Sequence, residues 1–151
     1  MIAAVLLVIA GALCVWYFAQ APRADDSSAY IDPNAKDWGD KVTTGENIEG
    51  KILIPGYAGA VMNSGDQSLS ISIGNPAENT CYLKATLKGE DGTVLYESGL
   101  IEPGKGFEEI PLNQSIEPGV YQAVVTYQGY TMEEKPKALN SSDSAFVLTV
   151  N

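Results

Sequence analysis

The chain predicts an all-β domain, an antiparallel β-sandwich of about seven to eight strands behind one apolar N-terminal helix. Three observations carry that expectation. From residue 50 onward, short apolar runs alternate with polar residues at a period of two, the pattern of strands with one buried face. Between the runs stand clusters of Gly, Pro, Asn and Asp, which supply the positive or fixed φ that turns require. Ahead of both, residues 1–19 carry no charge, and the first charged side chain is Arg23.

Residues 1–22 read as a transmembrane signal anchor. At about 1.5 Å per residue the uncharged run makes a helix of roughly 28 Å, near the roughly 30 Å hydrocarbon thickness of a bilayer. No face of it is polar, and Trp16 and Tyr17 fall at its outer end, where aromatic rings favour the interface. Ala19-Gln20-Ala21 also fits the small-x-small pattern of signal peptidase, so cleavage after Ala21 stands beside the anchor as an alternative; Pro22 after the cut and the length of the apolar run favour the anchor. Cys14 follows a bulky Leu13 inside the run, which suits membrane packing better than lipid attachment. The acidic mass lies entirely C-terminal to this segment, which places the expected location at the plasma membrane, single-pass, with the C-terminal domain outside the cell.

Residues 23–49 form an acidic spacer: seven acids stand against three bases, with little aliphatic content. Such a composition cannot offset the entropy of its own ordering and should be extended or only partly docked. Trp38 is the exception, a large ring in a polar tract that either tucks onto the neighbouring domain or serves as a partner contact. Asp32, Asn34 and Asp37 suggest a calcium loop only superficially, since Lys36 occupies a ligand position and the glycine and distal glutamate are missing.

Residues 50–151 hold the strands. Leu69, Ile71 and Ile73 alternate with Ser68, Ser70 and Ser72; Leu83, Ala85 and Leu87 alternate with Tyr82, Lys84 and Thr86; Phe146, Leu148 and Val150 close the chain in the same way. Further strands are expected at 52–54, 94–96, 107–112 and 120–127, with Asp91-Gly92 turning a hairpin across 86–96. This density of short strands in roughly 100 residues is the sequence rule for an immunoglobulin-like sandwich. In Glu117-Pro118-Gly119-Val120-Tyr121, Pro118 and Gly119 turn the chain and Tyr121 opens the penultimate strand as a tyrosine corner, returning its hydroxyl to upstream backbone. Cys81 shares the register of Leu83 and Ala85 and is expected to pack in the core.

Several stretches together resemble a family: Ile54-Pro55-Gly56-Tyr57, Asn75-Pro76, Asn79-Thr80-Cys81-Tyr82, the run from Leu95 to Gly104, and Gly119-Val120-Tyr121. The chain is similar to small signal-anchored surface proteins of clostridia and related Gram-positive bacteria. The resemblance implies display on the outer face of the plasma membrane, with adhesion, spacing or assembly as the common tasks of such domains, and it brings no catalytic residue.

Composition narrows the chemistry. The chain has no histidine, which removes the usual general base near pH 7, the Ser-His-Asp arrangement and the commonest zinc ligand. A net charge of −10 and a pI near 4.3 argue against nucleic acid as a partner. No cofactor, metal or catalytic set is read from the sequence; a loose calcium site from Glu90, Asp91, Glu108 and Glu109 is the one metal reading left open. The expectation is a non-enzymatic module that binds another envelope or extracellular protein. Trp38, Tyr57, Tyr130 and Met132 are its candidate contacts, Tyr130 just before and Met132 within a polar connection at 131–144 between the final strands. Self-association is the alternative, as a pilin-like subunit with the apolar helix in a filament core, and a secreted hydrolase or inhibitor is the third reading.

Overall fold

The structure is a computed structural model that describes residues 30–39 and 52–151. The expected anchor, the cleavage position at Ala21, Cys14 and most of the spacer lie outside the described residues. Eight strands follow in order: β1 (Lys36–Asp37), β2 (Ala60–Met62), β3 (Ser68–Gly74), β4 (Tyr82–Gly89), β5 (Val94–Glu97), β6 (Lys105–Pro111), β7 (Gly119–Tyr130) and β8 (Ala138–Val150). They make a three-stranded sheet of order β1-β6-β3 and a five-stranded sheet of order β2-β8-β7-β4-β5, one of which curls into a half-barrel.

Alternation builds the core as read. Leu69, Ile71 and Ile73 of β3 are buried, as are Leu83, Ala85 and Leu87 of β4 and Phe146, Leu148 and Val150 of β8. Each fully buried Leu or Ile contributes about 1.5–3 kcal/mol relative to exposure, so a one-residue slip of any of these strands is strongly disfavoured. Cys81 is a buried free thiol, and burial pushes its pKa up. The β4–β5 hairpin turns through Gly92 at φ +82°, with Gly92 N–H donating to the Gly89 carbonyl at 3.0 Å.

Three expectations are corrected. Residues 52–54 make no ladder; the side-chain amide of Asn79 takes the place of a neighbouring strand, accepting from Leu53 N–H and donating to the Leu53 carbonyl, both at 2.8 Å. The second half of the polar stretch 131–144 is strand, because β8 begins at Ala138. Ser142 and Ser144 stand opposite Tyr127 and Val125 in register and continue the inward phase of Phe146 with small polar residues, which apolar periodicity cannot reveal. Finally, β1 falls within the acidic spacer, and β2 pairs with β8 in parallel.

The corner before β7 is closed by Tyr121, whose Oη donates to the Glu117 carbonyl at 2.8 Å. A Cβ on Gly119 would come within 3.2 Å of the Tyr121 ring, so the glycine leaves room for the ring to fold back. Tyr121→Phe is expected to cost about 0.5–1.5 kcal/mol, read as a lower urea midpoint with an unchanged slope.

Candidate functional site

The arm at 30–39 crosses the gap between the open edges of the two sheets. Ile31 forms a parallel bridge to Leu100, with Leu100 N–H donating to the Tyr30 carbonyl at 2.7 Å and Asp32 N–H to the Leu100 carbonyl at 2.8 Å. Pro33 has no donor and a fixed φ, and beside it Asp32 closes a turn: Oδ1 accepts from Asn34 N–H at 2.9 Å while Oδ2 accepts from Gly99 N–H at 2.8 Å. The acidic residues that resembled a calcium loop are thus a turn clamped to the domain. Beyond it Lys36 and Asp37 pair with Gly106 and Lys105.

Trp38 ends the arm as a plug. It is buried, and its Nε1 donates to Ser72 Oγ at 3.0 Å. Its ring lies on Gly74 and Gly106, which face each other across β3 and β6. Of the two readings of Trp38, the structure has the ring tucked onto the domain: two missing Cβ atoms make a slot that the chain fills itself. Lys105 beside Asp37 holds its carboxyl below the usual carboxylate range. Both groups are exposed, so the pair adds direction to the arm more than stability.

Between the arm, β5 and β6 lies a cleft of about 800 Å³. Tyr30, Tyr96 and Phe107 supply its aromatic wall, with Trp38 at its edge. Tyr96 and Phe107 meet edge to face at a centroid distance of 6.2 Å. Tyr96 is only 8% exposed. Burial, then the charge of Asp32 and the neighbouring Tyr30, push its hydroxyl far above the ordinary tyrosine pKa. A second cavity of about 490 Å³ opens near the β4–β5 turn, lined by Leu95, Ile116, Tyr121 and Leu148 among others.

The other sequence candidates are scattered. Tyr57 packs its ring against Phe146 at 5.4 Å and shares a hydroxyl–hydroxyl bond with Tyr127, so its polar end is engaged internally. Tyr130, expected as a contact, is buried at the end of β7 and stands opposite Tyr82. Met132 alone is well exposed, at the tip of the β7–β8 hairpin. Asp91 caps its turn by accepting from Thr93 N–H at 3.0 Å, and Glu109 accepts from Ser68 Oγ. Among the described residues no group of three or more acids or thiols is gathered for a metal.

Burial raises the pKa of Tyr57, Tyr96 and Tyr127 together. An acid whose folded pKa lies above its unfolded value near 10 leaves stability unchanged below that value and subtracts from it above. Alkaline titration followed by tyrosine absorbance is expected to show these three rings ionising only as the fold opens, in one cooperative step. Smooth titration of all eight tyrosines with the fold intact would contradict it.

Compared with known proteins, the chain matches no family model, no curated protein and no solved structure. Sequence reasoning reached Trp38, took Asp32 only as part of a rejected calcium loop and Tyr96 as one of several scattered sheet tyrosines, and did not bring the three to one cleft. Tyr96 sits between Leu95 and Glu97 like any strand tyrosine, and the Gly74–Gly106 slot joins residues far apart in sequence, so neither carries a local signal.

Proposed function

We propose that the chain is a membrane-anchored, extracytoplasmic, immunoglobulin-like module of the bacterial cell envelope that binds or assembles with another envelope or extracellular protein without catalysis. The pairing of β3 with β6, opposite β8-β7-β4, supports the fold reading, since it matches the B–E and G–F–C sets of such sandwiches. The Tyr121 corner supports it further. The observation that carries the binding reading is the cleft framed by the arm: a concave, aromatic-walled and acidic surface of the size at which pockets hold ligands. Its chemistry suits recognition, because Asp32 is engaged by backbone N–H groups and Asp37 by a lysine.

Crosslinking on intact cells that make the protein, followed by purification of the full-length chain and identification of what is attached, tests the reading. One recurrent foreign protein is the expected result. A ladder of self-crosslinked species alone would replace it with the filament reading.

A further inference from the structure

We propose that the outer face of β2-β8-β7-β4 docks onto the same face of a second copy of this chain, in a closed two-fold pair whose axis runs along β7. The inference goes beyond the binding reading above, since none of the residues it uses lines the cleft.

Alternation decides what this face carries. Ala123, Val125 and Tyr127 of β7 and Phe146 and Leu148 of β8 turn into the core, so Val120 and Val147 point the other way. Val120 is 70% exposed, Val147 38%, and Val61 of β2 65%. The three are neighbours: Val61 and Val120 stand on either side of Thr149 in one row across the sheet, and Val147 is opposite Gln122 in the next. Ala145 and Val124, opposite each other one row further, continue the uncharged surface. One exposed valine is ordinary, whereas a contiguous apolar patch marks a contact surface.

Charge names the occupant. The chain carries −10, so two copies repel wherever their surfaces share that excess. The five strands of this sheet hold only four charged residues, Lys84 and Lys88 against Glu97 and Asp143, and these cancel. Two acidic chains can therefore meet on this face. The charges are also sorted by strand: both cations stand on β4, the one charge of β8 is Asp143, and β7 between them has none. A two-fold axis along β7 lays β4 of each copy on β8 of the other and sets cation against anion twice, whereas an axis across the strands would set β4 on β4. Register brings the pair close. Lys88 shares a row with Val124 and Ala145, and Asp143 stands one row on, about 7 Å along the strand, a step that a lysine stem spans. Neither Lys88 nor Asp143 makes an ion pair with a described residue.

Sedimentation equilibrium of the full-length protein in density-matched detergent micelles tests the proposal. A reversible monomer–dimer equilibrium is expected, with a Kd of about 1–100 μM, as suits a contact of three or four strands. Val120→Glu changes an exposed position, so it should leave the thermal midpoint in place while weakening the dimer at least about thirtyfold. Lys88→Asp and Asp143→Lys should each weaken it at least about fivefold, and the two together, which exchange the charges across the axis, should return it to within about threefold of the parent. A monomer at up to about 1 mM would overturn the proposal. So would a dimer that Val120→Glu leaves intact, which would put the contact elsewhere in the chain, residues 1–22 included, or a double exchange no tighter than its singles. A closed pair adds one dimer band to crosslinking on cells and no ladder. A recurrent foreign partner would stand with or without that band, so the two readings fail separately.

Discussion

Asn75→Leu is expected to unfold the domain or bring it close to unfolding. The side chain is completely buried, and its amide holds three things at once. Nδ2 donates to the carbonyls of Cys81 and Ile101, both at 2.8 Å, while Oδ1 accepts from Asn79 Nδ2 at 2.8 Å. Asn79 in turn carries Leu53. Leucine has nearly the same shape and none of these bonds, so the Cys81 carbonyl and one Asn79 amide N–H are left buried without partners at about 1–3 kcal/mol each, while the Ile101 carbonyl keeps only its bond from Leu83 N–H at 3.1 Å. The resulting loss of about 2–6 kcal/mol is a large part of a stability of about 5–15 kcal/mol.

Asn75→Asp sharpens the point, because a carboxylate facing two carbonyls is worse than no group at all. Its folded-state pKa would lie above the unfolded value near 3.9. Below that value both states hold the proton and the penalty is smallest. As pH rises toward neutral only the unfolded state releases it, so stability falls with pH. Urea unfolding at several pH values reads both effects. Asn113→Ala, which removes an exposed bond to the Val94 carbonyl at 3.3 Å, serves as the contrast and should cost almost nothing. A cost for Asn75→Leu no larger than that of Asn113→Ala would show that the amide network is not what holds residues 52–54 and 75–81 to the sandwich.

The network also shows where sequence reading stops. Gly74-Asn75-Pro76 reads as a turn because those residue types favour turns, and the chain does leave β3 there. Nothing local tells that this asparagine points inward, since its partners at 81 and 101 become neighbours only once the sheets are closed. The strands were legible wherever an apolar face repeats every second residue, as in β3, β4 and the end of β8. They were invisible where the ladder needs only backbone. β1 has two exposed residues, β2 has three residues of which only Met62 is buried, and the first half of β8 is mostly polar. The cleft was illegible for the same reason: its acids and aromatics are ordinary residues in ordinary strands, and only the path of the arm over the open edge gathers them.

The arm itself yields the second large effect. Gly106→Ala should release Trp38 and loosen the three-stranded sheet. An added Cβ would lie 2.6 Å from the Ile73 carbonyl oxygen, 2.6 Å from Trp38 Cδ1 and 2.8 Å from Gly74 Cα. Two of those three atoms are backbone of the facing strand, and only the indole is free to leave. Overpacking of this kind costs about 1–3 kcal/mol, and removal of a buried Trp side chain about 3–5 kcal/mol where the site cannot collapse. Because both changes empty the same slot, Trp38→Ala combined with Gly106→Ala should cost distinctly less than the sum of the two singles. A Trp16→Phe background leaves Trp38 as the sole indole of the chain. In it, the emission of Gly106→Ala should shift to the red at denaturant concentrations where the parent remains blue. Additive costs with unshifted emission would mean that the indole stays put and the backbone yields, so the slot would be a consequence of the β3–β6 pairing and not the device that holds the arm.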